Sequence, residues 1–333
     1  MTPRERLAWA INQLAIAWVL IFGVLWLAGI SVLGGFGIDT RIYAAAARAW
    51  LAGGDPWAVN VAGIQFAAPP PSLLPFAALA WLPDGVLEPL IAGVGLVAVT
   101  IAIARFRVGW WWLLSVPVVE GVWVGSLDPV ALALLGGPLW LAALAPIARL
   151  FTFAPLALLG RGRAIVVALV AIALSAPFLP WSTYLARLPE LAGVLDAQSG
   201  GGKGALSAPL LIVPTVAALI AIGRRDGAWL AVPALWPASQ LHYGILAIPV
   251  GSPILAAFAV APIPAPLAFG VIALALIRAI EGKLDPWSWL PTSWLPRAAL
   301  SRRGALPAES PGPSAPEEPH EAPAEGGDEV QRR

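Results

Sequence analysis

Three side chains stand out from a strongly apolar background because each can move a proton or hold an anion. Asp39 heads the stretch "DTRIYAAAARAWLAGGDPW", residues 39–57, where two aspartates and two arginines fall close together just after the first long apolar run. Arg149 lies within "LAALAPIARLFTFAPLALL" (141–159), which has no other charge. His242 stands beside Tyr243 in "WPASQLHYGILAIP", residues 236–249. A carboxylate can take a proton, a guanidinium can hold an oxyanion and an imidazole can do either. A cation inside an apolar stretch is costly and normally paired, so its default reading is functional. Glu120 and Asp128 are the alternative partners for Arg149, and an ordinary interfacial histidine is the alternative for His242. Asp39 is equally a plausible N-cap, and Asp55 in "GGDPW" a turn former.

These residues sit in a chain that no soluble domain resembles. Of 333 residues, 59% are hydrophobic and 12% charged, which points to an all-α polytopic integral membrane protein. A formal net charge of +1 gives no reason to expect nucleic-acid binding. The absence of cysteine excludes disulfides, thiolate metal sites and cysteine nucleophiles, and two histidines argue against a histidine-rich metal centre. Many of the 17 tryptophans end apolar runs, as interfacial belts require.

The elements that must position the three residues follow from hydropathy and charge. Arginines at 4–6, 105–107, 161–163 and 224–226 are expected on the cytoplasmic side. The N-terminal run has no small-residue cleavage site and reads as a retained span over 9–33 from a cytoplasmic start. Residues 34–85 then form a long external segment. Spans are expected at 86–104, 108–125, 164–181 and 227–244, with an inward run after 207 and one kinked or two short spans in 245–280. Residues 130–160, broken by Gly136, Gly137, Pro138, Pro146 and Pro155, predict short or re-entrant helices that keep Arg149 within the protein. Residues 182–207 read as a second external loop. The count is about eight to ten spans at ~20 residues each. The domain division is 1–300 for the membrane domain and 301–333 for a Pro- and Glu-rich, disordered tail.

Within the external segment, "DTRIYAAAARAWLAGG" predicts a helix over about 40–52. Asp39, Tyr43 and Trp50 share one face at ~3.6 residues per turn, and Arg41 and Arg48 another. "PPPSLLPFAALAWLP" predicts a second short helix over about 70–82. Both are expected to lie along the outer membrane surface, with the arginines at lipid headgroups as the plainest reading.

Asp39, a Tyr four residues on, the Ala-rich helix, "GGDPW" and "FAAPPPSLLPF" occur in an order that resembles the first loop of glycosyltransferase family 87. These are polyprenyl-phosphate-mannose-dependent mannosyltransferases of the C-type (GT-C) fold. Trp57 stands where that family carries an aromatic. "GSLDPVALALLG" falls where the family has Gly-Gln-x-Asn before a Leu-rich span, with both polar side chains changed. Arg149 stands at the place of a family lysine. "WPASQLHYGILAIP" is similar to a family segment at Pro237, His242, Tyr243 and Pro249. Together these cover roughly residues 36–250.

The resemblance implies a GT-C-like bundle with two external juxtamembrane helices. It also implies a membrane enzyme that moves a hexose, by the family's habit mannose, from a polyprenyl-phosphate donor to a lipid or glycan acceptor outside the cytoplasmic membrane. Asp39 would be the general base of an inverting displacement. Arg41, Tyr43, Trp57, Arg149, His242 and Tyr243 would bind donor or substrate. Neither metal nor cofactor is expected, since a side-chain cation can meet the charge that develops on the leaving phosphate. A transporter, or a relative that keeps the fold without activity, is the alternative.

Overall fold

The computed structural model describes residues 1–33, 35–198, 204–236, 240–261 and 263–290. Pro237 and the tail expected over 301–333 lie outside the described residues. Met1–Trp289 form one compact unit; a second, Leu290–Arg333, falls outside the description beyond Leu290.

Among its described residues the unit is all-α apart from one hairpin of two-residue strands, β1 (Asn60–Val61) paired antiparallel with β2 (Ile64–Gln65). It begins with α1 (Pro3–Leu33), α2 (Ile38–Leu51), α3 (Leu73–Ala78) and α4 (Asp84–Phe106). There follow α5 (Val116–Trp123), α6 (Asp128–Leu135), α7 (Leu139–Ala142), α8 (Ala145–Ala148), α9 (Phe153–Leu158) and α10 (Gly162–Ser175). The rest is α11 (Trp181–Gln198), α12 (Pro209–Ala221), α13 (Arg224–Leu235), a ten-residue 3-10 helix (Leu241–Val250), α14 (Pro253–Ala259) and α15 (Pro266–Glu281). Among the described residues two helices are long and apolar enough to cross a membrane, within Pro3–Ile30 and Asp84–Phe106. At 1.5 Å per residue α4 is about 34 Å long, against a hydrocarbon core of about 30 Å. The other apolar helices among the described residues are shorter, so by helix length two crossings, or three if the bent pair α5 and α6 is one span, stand where about eight to ten were expected.

The segment 108–125, expected as one crossing, is broken twice. A 3-10 turn (Trp110–Leu114) precedes α5, and α5 meets α6 at a bend of 116°. Gly125 makes the second break. Its φ of 72° ends α5 in a left-handed residue, and the amides of Gly125 and Ser126 return to the carbonyls of Val122 and Gly121. Pro129 then opens α6, where its missing N–H costs nothing. An added Cβ at Gly125 would collide with the Thr40 hydroxyl oxygen. Gly125→Ala is therefore expected to destabilise the protein by about 1–3 kcal/mol from backbone strain alone, plus the clash. Thermal melting in detergent should show only partial recovery when Thr40→Ala is added, because that change relieves the clash and leaves the strain.

The two helices expected within 34–85 are present with altered bounds and surroundings. The second is shorter than 70–82: a 3-10 turn over Pro70–Ser72 leads into α3. The first begins one residue before Asp39. Gly37 is its cap at φ 66°, and Asp39, in the first turn, makes no capping hydrogen bond, so the N-cap expectation is wrong. One side of α2 is buried through Ile42, Tyr43, Ala46 and Ala47 in a core with Trp57, Phe66, Phe76 and Leu87. Its arginines are paired within the protein. Arg48 reaches Asp84 at 2.7 Å and the carbonyls of Ala80 and Leu82, and Arg41 lies 3.4 Å from Glu88. Both fasten α2 to the first turns of α4.

Two further expectations fail. Residues 181–198 form helix α11 where a loop was expected, with Trp181, Tyr184, Arg187, Leu191 and Gln198 less exposed than their neighbours at helical spacing. The expected crossing 227–244 stops at Leu235, and His242 and Tyr243 open the buried 3-10 helix instead. By contrast 130–160 breaks into short helices as its glycines and prolines require.

The bundle has a basic end. Arg105 lies against Gly136, Arg161 donates to the carbonyls of Leu135 and Gly137, and Arg224 to that of Leu158. Arg278 binds Asp226 and the Ile222 carbonyl. Ala8, near Arg4 and Arg6, packs in one cluster with Ile277. Asp84 and Glu88, at the other end of α4, mark the opposite end, where α2 sits.

Candidate functional site

At that opposite end is a cavity of about 550 Å³. It lies between the start of α2, the β2 edge, the Arg149–Ala154 corner, α11 and the side chains of Trp236, Gln240 and Tyr243. Its polar floor is assembled from chain breaks. The amides of Gly37 and Asp39 donate to the carbonyls of Trp123 and Val124, both at 2.9 Å, which fixes the head of α2 to the end of α5. Asp39 is thereby placed beside the α5–α6 bend that carries Ser126 and Asp128. Arg149 ends α8 in an extended conformation, φ −148° and ψ 108°, at the corner before α9.

Arg149 is held on three sides. Its Nε lies 2.6 Å from Asp128 Oδ1, its Nη2 donates to Ser126 Oγ at 2.9 Å, and its Nη1 to Tyr43 Oη at 2.6 Å. A guanidinium has five N–H groups, two on each terminal nitrogen, so among the described residues one on each terminal nitrogen has no partner. Asp128 is 1% exposed, and its second oxygen lies 3.3 Å from His242 Nε2. His242 Nδ1 is buried without a hydrogen-bond partner among the described residues. Asp128 thus sits between a guanidinium and an imidazole, which offsets the cost of burying its charge.

Asp39 differs from Asp128 in that among the described residues no side chain hydrogen-bonds or ion-pairs with its carboxylate, although it lines the cavity. Burial raises its pKa; His242 and Arg149 oppose the rise and Asp128 adds to it. Tyr43 is pushed up to about 12, chiefly by burial, against the pull of Arg149. It therefore remains a neutral phenol that accepts from Arg149 and keeps its own proton to donate.

Asp39, Tyr43, Arg149 and Tyr243 line this one cavity, and His242 stands behind Arg149 through Asp128. Two of the residues named from the sequence are elsewhere. Arg41 is occupied by Glu88 and the Phe36 carbonyl. Trp57 is wholly buried, with its indole N–H on the Ala68 carbonyl and its ring against Tyr184. Asp55 shapes its turn as expected, accepting from the Trp57 amide at 2.9 Å. Sequence reading missed Ser126 as a partner of Arg149, and it missed the α11 wall. The available signal was "VGSLDP", whose Gly and Pro mark a break beside a hydroxyl and a carboxylate.

The arrangement offers a carboxylate that can accept a proton and, in the same cavity, a fixed cation with spare donors. Among the described residues no cluster of His, Asp and Glu is placed to hold a metal ion. No protein-family model, no curated protein and no solved structure matches this chain.

Proposed function

We propose that the chain is a multi-pass membrane glycosyltransferase that moves a hexose, mannose in the first instance, from a polyprenyl-phosphate carrier to a hydroxyl of a lipid or glycan acceptor. The observation that carries this reading is the Asp39 carboxylate, unpartnered among the described residues, on the wall of the cavity into which Arg149 is fixed. In the proposed step the acceptor oxygen attacks the anomeric carbon from the face opposite the phosphate. The bond from that carbon to the phosphate oxygen breaks, and its electron pair leaves with the phosphate. Asp39 takes the acceptor's proton, and the two N–H groups of Arg149 that have no partner among the described residues meet the charge growing on the phosphate. Asp128 and Ser126 hold the guanidinium in place, so little reorganisation is needed as charge moves. Apolar walls from Phe151, Phe153, Leu188 and Leu191 suit a hydrocarbon carrier. The cavity lies at the end away from the basic clusters, which the positive-inside rule assigns to the outer face of the cytoplasmic membrane.

The test is incubation of the purified protein with labelled polyprenyl-phosphate-mannose and a membrane lipid extract. Transfer of label with inversion is expected, and its absence with every extract and every sugar tried would end the proposal. Activity requires ionised Asp39. Because burial raises its pKa, the acid limb of kcat/KM is expected above the ordinary aspartate range near ~3.9, with activity falling as pH drops through that limb. A limb at or below that range would remove Asp39 as the base. The bend between α5 and α6 favours a second reading, a transporter with a broken helix at its binding site. Substrate uptake into vesicles without chemical transfer would favour it.

A further inference from the structure

α11 provides one wall of the cavity, with Tyr184, Leu188, Leu191, Ala192, Leu195 and Gln198 in the lining. A wall of eighteen residues normally buries a continuous stripe, yet only Leu191 of α11 is fully buried. Among the described residues Trp181 Nε1 donates to Ser175 Oγ at the start of the helix, and the polar attachments beside the cavity reach the segment between α2 and α3. Arg187 pairs with Asp55 at 2.5 Å, Gln198 Nε2 donates to the Gln65 carbonyl at 3.2 Å, and Gln65 Nε2 reaches Glu190 at 3.4 Å. The Tyr184 ring leans on Trp57, with centroids 5.4 Å apart. The opposite wall is different in kind: α2 is clamped by backbone bonds to α5, by Arg41 and Arg48 to α4, and by a buried aromatic core. Elements with little buried apolar contact and half-exposed polar bridges open at low cost.

We infer that α11 is a lid on this cavity, held shut by the Arg187–Asp55 and Gln198–Gln65 bridges, and that its opening limits how fast a solute reaches the Asp39 side. The inference concerns access alone and does not depend on the proposed chemistry. Neither bridge involves Asp39 or Arg149, so the latch can be altered without touching the polar floor.

The absence of cysteine allows a direct test. Ile42 lines the cavity and is 4% exposed, so Ile42→Cys reports access, and Val99→Cys, in the 0% exposed core, reports general loosening. Each is placed in the full chain and its rate of reaction with a charged, water-soluble methanethiosulfonate is measured. Adding Arg187→Ala and Gln198→Ala is expected to speed labelling at residue 42 about tenfold and leave residue 99 unchanged, since one partly exposed ion pair and one neutral hydrogen bond are each weak. Arg187→Lys with Gln198 intact keeps a cation opposite Asp55 and is expected to stay slow. Equal rates at residue 42 with and without the bridges would overturn the lid. So would parallel acceleration at both positions, because opening would then be global.

Discussion

Asp39→Asn is expected to lower sugar transfer by ~10²-fold or more while leaving the protein folded and able to bind donor, the size of loss typical for a missing general base. Asn keeps the shape of the side chain but cannot take the acceptor's proton at neutral pH. Because the cap of α2 is Gly37, the substitution disturbs no capping bond. The sign of the stability change is a second check. Burial holds the Asp39 pKa above its unfolded value, so the native state binds the proton more tightly. Stability contributed by that group is present below the unfolded pKa and is lost as pH rises through the folded one. Asn carries no such penalty. The variant should melt no lower than wild type at neutral pH, and any advantage should vanish in acid. Wild-type transfer rates from the Asp39→Asn variant would mean that the carboxylate is not the base.

Arg149→Met should have the largest structural effect. Among the described residues it leaves the buried Asp128 carboxylate with His242 alone as a charged partner, and breaking a buried ion pair from one side costs about 3–5 kcal/mol. Replacing both partners, Arg149→Met with Asp128→Leu, removes the stranded charge and should recover most of the loss, since apolar replacement of a buried pair is often neutral. Transfer should not recover, because the cation opposite the leaving phosphate is gone; loss of such a group costs ~10²–10³-fold. Arg149→Lys is expected to fall between, keeping charge without the planar fork that reaches Asp128, Ser126 and Tyr43 together. Melting temperature and transfer rate, measured on the same preparations, separate the two roles. A double variant that regains stability and still transfers sugar would make Arg149 a purely structural residue.

Local chemistry determined much of the helix content. The apolar run closed by arginines at 105 and 107 set α4 to within two residues at each end, the alanines after Tyr43 set α2, and the glycines and prolines of 130–160 broke that segment into short helices. The cost of an unpaired cation in an apolar stretch likewise required that Arg149 be held by protein. These follow from propensity, periodicity and desolvation, which act over a few residues and can be read along the chain. Only the tertiary structure decided which partner Arg149 takes: Asp128 with Ser126, and Tyr43 from 106 residues away. It also turned Asp39 from a cap into a cavity residue, by bonding the head of α2 to α5, and bent the chain at Gly125 against Thr40, 85 positions distant. The same packing drew Arg41 and Trp57 away from the cavity and made α11, whose polar residues read as a loop, one of its walls. Hydropathy records how much a residue resists water; which buried groups meet depends on how the broken helices stack, and no short stretch of sequence carries that.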